Sequence, residues 1–114
     1  MNDSPSTAPI NRVPDLSVAT DFELKHVPML TAEAVDGGIK LKIEMGRVVV
    51  HPSTPDHWFN WIDVRVAGAS IARIDLSHVT APRVAFTLAL EPGTVVEVLA
   101  SCNLHGVWQT DITL

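Results

Sequence analysis

Alternation at period two dominates this chain from about residue 31 onward, and it limits the fold more than any other feature. Ile39, Leu41, Ile43 and Met45 alternate with Lys40, Lys42 and Glu44, the pattern of a strand with one face buried and one in water. Ile62, Val64 and Val66 alternate with Asp63 and Arg65. Val84, Phe86, Leu88 and Leu90 form another face, and Trp108, Thr110, Ile112 and Leu114 a last one. Turn signals at Asp36-Gly37-Gly38, Gly68, Ala81-Pro82 and Glu91-Pro92-Gly93 separate the runs. No stretch carries a sustained helical stripe. Short strands at this spacing predict an all-β, antiparallel sandwich.

The 114 residues suffice for one domain and one core. Residues 1–20, with Pro5, Pro9 and Pro14 among small polar residues, read as a flexible tail or an arm on a surface. The domain proper is then 21–114. A net charge of −5 offers no basic footprint for nucleic acid. No apolar run approaches the ~20 residues that span a membrane. The N-terminus lacks the features of a secretory signal. A single cysteine excludes an internal disulfide framework and fits a reducing, cytoplasmic setting.

That cysteine and four of the five histidines fall in three short clusters. They are Lys25-His26-Val27-Pro28, the segment from His51 through Pro52 and Pro55 to His57, and Cys102-Asn103-Leu104-His105-Gly106. Four imidazoles and one thiolate exceed the four ligands with which zinc closes a structural site. Nitrogen donors with one soft sulfur, open at a sixth position, suit redox-active iron. Pro52 and Pro55 stiffen the loop that carries His51 and His57. The remaining histidine, His78, reads as an exposed loop residue. Trp58, Trp61 and Trp108 flank the clusters and read as packing walls.

In order and spacing these segments resemble the iron site of the superoxide reductases, the family of neelaredoxin and the iron-binding domain of desulfoferrodoxin. The matching features are Lys-His-x-Pro at Lys25 to Pro28, His-Pro-x-Thr-Pro-x-His running into Trp-Ile at His51 to Ile62, and Cys-Asn-x-His-Gly-x-Trp at Cys102 to Trp108. The resemblance covers roughly residues 22–114. It implies an immunoglobulin-like sandwich of about seven strands. It also implies one mononuclear non-haem iron with His26, His51, His57 and His105 in a plane and Cys102 axial. By the same resemblance, Lys25 is the functional cation beside the open position. Superoxide is the expected substrate and hydrogen peroxide the product. Rubredoxin or a similar protein is the expected electron donor, and a homo-oligomer, dimer or tetramer, the expected assembly. The same site could instead serve another small redox substrate, or act as a non-catalytic metal-binding or electron-transfer module.

Two local expectations complete the reading. Backbone N–H groups from Asn103 onward are placed to hydrogen-bond the Cys102 sulfur. Many members of the family carry Glu directly before the Lys-His pair, where this chain has Leu24. With that segment extended, Glu23 faces away from Leu24 and cannot replace the missing carboxylate.

Overall fold

The computed structural model describes residues 9–114, and the expectations for residues 1–8 lie outside that range. Seven strands follow one another: β1 (Met29–Val35), β2 (Gly38–Glu44), β3 (Phe59–Val66), β4 (Ala69–Asp75), β5 (Arg83–Leu88), β6 (Val95–Cys102) and β7 (Gly106–Thr113). They form two antiparallel sheets, ordered β1-β2-β5 and β4-β3-β6-β7. The predicted sandwich is the observed one. No helix among the described residues is long and apolar enough to cross a membrane.

The alternating residues close the core. Leu41, Ile43 and Met45 from one layer meet Ile62, Val64, Val96, Val98 and Ala100 from the other, all at most 1% exposed. Burial of this kind contributes about 25 cal/mol for each Å² of apolar surface removed from water. β6 was not legible as a separate alternating run. It lies between β3 and β7, and Leu99 on its outer face is buried as well as the inward set, so the polar half of the pattern fades. The β1–β2 hairpin closes at Asp36-Gly37, and Gly38 beyond it has φ +147°. A Cβ there would sit 2.1 Å from the Leu88 carbonyl oxygen, so only glycine fits.

The described part of the N-terminal segment runs along β7. Asn11 forms a parallel bridge with Trp108, its N–H donating to Val107 O at 2.9 Å while its carbonyl accepts from Gln109 N–H at 2.9 Å. A 3-10 turn at Leu16–Val18 leads to a short helix, α1 (Asp21–His26). This helix corrects the expectation of an extended segment. Thr20 is the N-cap, its hydroxyl accepting the Glu23 N–H while the Glu23 carboxylate accepts the Thr20 N–H. That reciprocal capping box, with Asp21 and Glu23 in the first turn and Lys25 and His26 in the last, suits the helix dipole at both ends. Pro28 stops it by forcing Val27 into an extended conformation.

Candidate metal centre

Two turns and a helix end converge on one end of the sandwich. α1 brings His26, the loop between β2 and β3 brings His51 and His57, and β6 with its turn into β7 brings Cys102 and His105. Within that loop Gly46 has φ +79°, and a Cβ on it would lie 2.4 Å from His51 N. The chain therefore folds back tightly before His51. Thr54 and His57 then close a small antiparallel bridge with paired backbone hydrogen bonds of 3.0 and 3.1 Å, which turns His57 toward His51.

Four donor atoms, one each from His26, His51, His57 and Cys102, lie within 4.8 Å of one another. The exposed ring of His105 stands beside them, its centroid 5.0 Å from that of His26 and 5.1 Å from that of His57. Taken in the order 26, 51, 57, 105, the four imidazoles make a closed ring. Neighbouring centroids are 4.8, 4.5, 5.1 and 5.0 Å apart, and each neighbouring pair is steeply inclined, at 83°, 69°, 76° and 87°. Across the ring, His26 and His57 are 6.0 Å apart and only 31° from parallel. Cys102, a buried free thiol, lies with its Sγ 3.6 Å from His51 Nε2.

The histidines are prepared as neutral donors. His26 Nδ1–H donates to Phe22 O and His51 Nδ1–H to Pro52 O, each at 2.7 Å. Either bond places the proton on Nδ1 and leaves the lone pair on Nε2. Nε2 of His26 and of His57 are buried without a hydrogen-bond partner. An unpaired buried acceptor costs about 1–3 kcal/mol, and a metal ion would satisfy both at once. Burial is the main cause that lowers His26 and His51 from the usual 6.5 to about 4, with neighbouring imidazoles and Lys25 adding to it. The same cause, then His105 and Lys25, lowers His57. The residues present fit a transition-metal ion.

These shifts make a stability prediction for the metal-free protein. Its stability should be full above about pH 6.5 and decline as the pH falls toward 4. In that window the unfolded chain binds protons that folded His26 and His51 refuse. Each imidazole then contributes at most about 3 kcal/mol. Urea titrations at pH 7 and pH 5 measure the effect. Equal midpoints would show that both rings protonate freely in the folded state.

The desulfoferrodoxin family model matches residues 18–111. The chain belongs to the desulfoferrodoxin family. A superoxide reductase from Thermococcus kodakarensis is 29% identical over 100 residues, covering 79% of this chain and 87% of the relative. The solved superoxide reductase from Nanoarchaeum equitans is 31% identical with a TM-score of 0.70, covering 79% of this chain and 93% of that one. A variant of the neelaredoxin superoxide reductase from Archaeoglobus fulgidus, in its reduced form, is 26% identical with a TM-score of 0.74, covering 85% and 94%.

In this desulfoferrodoxin-family chain the surroundings of the centre depart from the sequence reading at several points. Trp108 is the packing wall expected, stacked on His26 at 5.1 Å and 22°, with its Nε1–H donating to His105 O at 3.1 Å. Trp61 is not. It packs under the Arg73 guanidinium, 4.6 Å from the ring centroid, because the irregular register after Phe59 turns this stretch of β3 away. Trp58 edges onto His78 at 6.3 Å, and His78, half-buried between β4 and β5, stands outside the convergent group. The Asn103 N–H is not free for the sulfur, since it donates to Trp58 O at 3.0 Å.

Phe22 was overlooked, yet its ring packs on His26 at 4.5 Å and edges onto His105 at 4.9 Å. Its four-residue offset from His26 was a usable signal only once a helix was suspected. Glu23 lies in α1 and not in the extended segment expected. The capping box holds its carboxylate at Thr20, 2.9 Å from the backbone N–H. Lys25, half-buried in the last turn of α1, forms no ion pair among the described residues.

Proposed function

We propose that this protein is a superoxide reductase whose resident cofactor is one mononuclear non-haem iron. His26, His51, His57 and His105 would hold the iron with Cys102. The observation that carries this reading is the closed ring of four steeply inclined imidazoles with one cysteine sulfur beside it. Such a donor set gives four nitrogens and one soft sulfur, which favours iron over a structural zinc. When bound, the iron supplies the single electron that, with two protons, converts superoxide to hydrogen peroxide.

The chain's own residues do the remaining work. The backbone carbonyls of Phe22 and Pro52 fix which nitrogen of His26 and His51 faces the ion. Phe22 and Trp108 wall the His26 side with aromatic surface and limit water there. Lys25 supplies a positive charge close enough to be felt by His26, His51 and His57, and it draws the superoxide anion inward. Water polarised by that ammonium delivers protons to the product. The chain's one cysteine is committed to this centre, so the electron comes from a separate carrier, rubredoxin or a similar protein. The protein works in the cytoplasm as a dimer or tetramer.

Iron analysis, the optical spectrum of the oxidised protein and product counting test the reading together. A reductase releases one peroxide for each superoxide consumed, whereas dismutation releases half as much. A protein that binds no iron, or forms no peroxide from superoxide, refutes it.

Lys25→Ala should reduce the second-order rate with superoxide about tenfold at low ionic strength, the lower end of electrostatic steering effects. The salt dependence should flatten and the iron content stay the same. An unchanged rate at low salt, measured by pulse radiolysis, would reduce Lys25 to an ordinary surface charge.

A further inference from the structure

Asn103 follows Cys102 directly, and among the described residues its hydrogen bonds run to the two residues that flank His57. Its Oδ1 accepts the Trp58 N–H at 2.8 Å, its Nδ2–H donates to Asp56 O at 2.9 Å, and its own N–H donates to Trp58 O at 3.0 Å. The carboxamide therefore grips the chain on both sides of one imidazole donor while its backbone is continuous with the sulfur donor. Among the described residues, no other side chain bonds both residues that flank His57. The His57 turn closes on itself through Thr54, by backbone pairing and through the threonine hydroxyl, and those bonds do not reach the Cys102 turn. The β3–β6 ladder reaches this point through the Phe59–Cys102 pair, before its irregularity between Phe59 and Trp61, so it aligns Cys102 with Phe59 but makes no bond to the residues that flank His57 directly.

We infer that Asn103 is a positioning residue, which fixes the Cys102 sulfur and the His57 imidazole relative to one another and so sets how tightly the centre holds its metal. The inference rests on the proposed iron site and adds a residue that does not touch the ion. The carboxamide chemistry is specific. One acceptor and one donor, about a peptide width apart, must face an N–H and a C=O separated by one residue. Aspartate keeps the acceptor and loses the donor, placing an oxygen opposite the Asp56 carbonyl. Alanine loses both. Outer hydrogen-bonding partners of metal ligands commonly affect affinity about 10- to 100-fold.

The test compares the iron-loaded wild type with Asn103→Ala and Asn103→Asp. Three quantities are read: the rate of iron loss to a chelator, the position of the thiolate-to-ferric absorption band, and thermal melting of the metal-free proteins. Asn103→Ala should lose iron about tenfold faster or more and show a shifted band, with metal-free melting close to wild type. Asn103→Asp should fall between the two. Wild-type release and an unmoved band in Asn103→Ala would overturn the inference. So would an equal drop in melting with and without iron and an unmoved band, since that is the signature of a merely structural contact. A wild-type protein with no such band would instead overturn the iron reading itself, so the two failures are distinguishable.

Discussion

Replacing Cys102 by serine should abolish both the thiolate-to-ferric absorption band and the formation of peroxide from superoxide, while the sandwich still folds. The sulfur is the only soft donor in the group, and a serine hydroxyl neither softens the ligand set nor deprotonates readily near neutral pH. Cys102 is one member among several of the buried core cluster. Cys102 lies at the end of β6, and the centre of the core is made by Leu41, Ile43, Ile62, Val64, Val96 and Val98. A buried hydroxyl in place of the thiol should cost about 1–3 kcal/mol, a shift visible in melting but not in the far-ultraviolet dichroism. Retention of band and activity by the variant would show that the sulfur is not a ligand.

Phe59→Ala should have the largest effect on the fold itself. Phe59 is 1% exposed and is the bulkiest of the fully buried side chains. It lies 4.4 Å from the His51 ring and 6.0 Å from that of His26, so it joins the core to the floor of the metal centre. Truncation removes its burial and leaves a cavity, at a cost of about 3–5 kcal/mol, much of a small domain's stability. The His51 ring also loses its backing, so iron should be released faster than from wild type. Urea unfolding measures the first effect and chelator competition the second. A loss below about 1 kcal/mol would mean that the neighbouring side chains collapse into the space.

The strands that one-sided burial marks were legible in the sequence. β2 alternates because one face meets the core and the other meets water, as Leu41 and Lys42 show at 0% exposed and exposed respectively, whereas in β3 the polar partner Asp63 is itself buried and is held by Arg65 and Ser70. β6 was harder to read because apolar Val95 and the buried Leu99 stand on the face opposite Val96, Val98 and Ala100, so apolar residues occupy both faces. The helix α1 was missed for a different reason. Six residues are too few for an apolar stripe, and the signal lay in Thr20 and Glu23 three positions apart. The candidate ligands were readable because the one cysteine and four of the five histidines fall in three short clusters, and the structure brings the donor atoms of His26, His51, His57 and Cys102 together with the His105 ring beside them. Asn103 was read only through its backbone N–H, and its side-chain role depends on which loop lies opposite, which spacing along one chain does not encode.

The three segments that meet at the metal centre belong to different parts of the sandwich. His26 sits on the span from the β7 edge, where Asn11 is tied, into β1 of the other sheet. His51 and His57 sit where the chain crosses from β2 to β3, again from one sheet to the other, while Cys102 and His105 stay within the larger sheet. A single ion held by all three would be a cross-link between the layers, closing long loops much as a disulfide would in a chain that has only one cysteine. Separating the sheets would then require pulling ligands off the metal. The loaded protein would resist unfolding mechanically and kinetically at the end of the sandwich where its chemistry takes place.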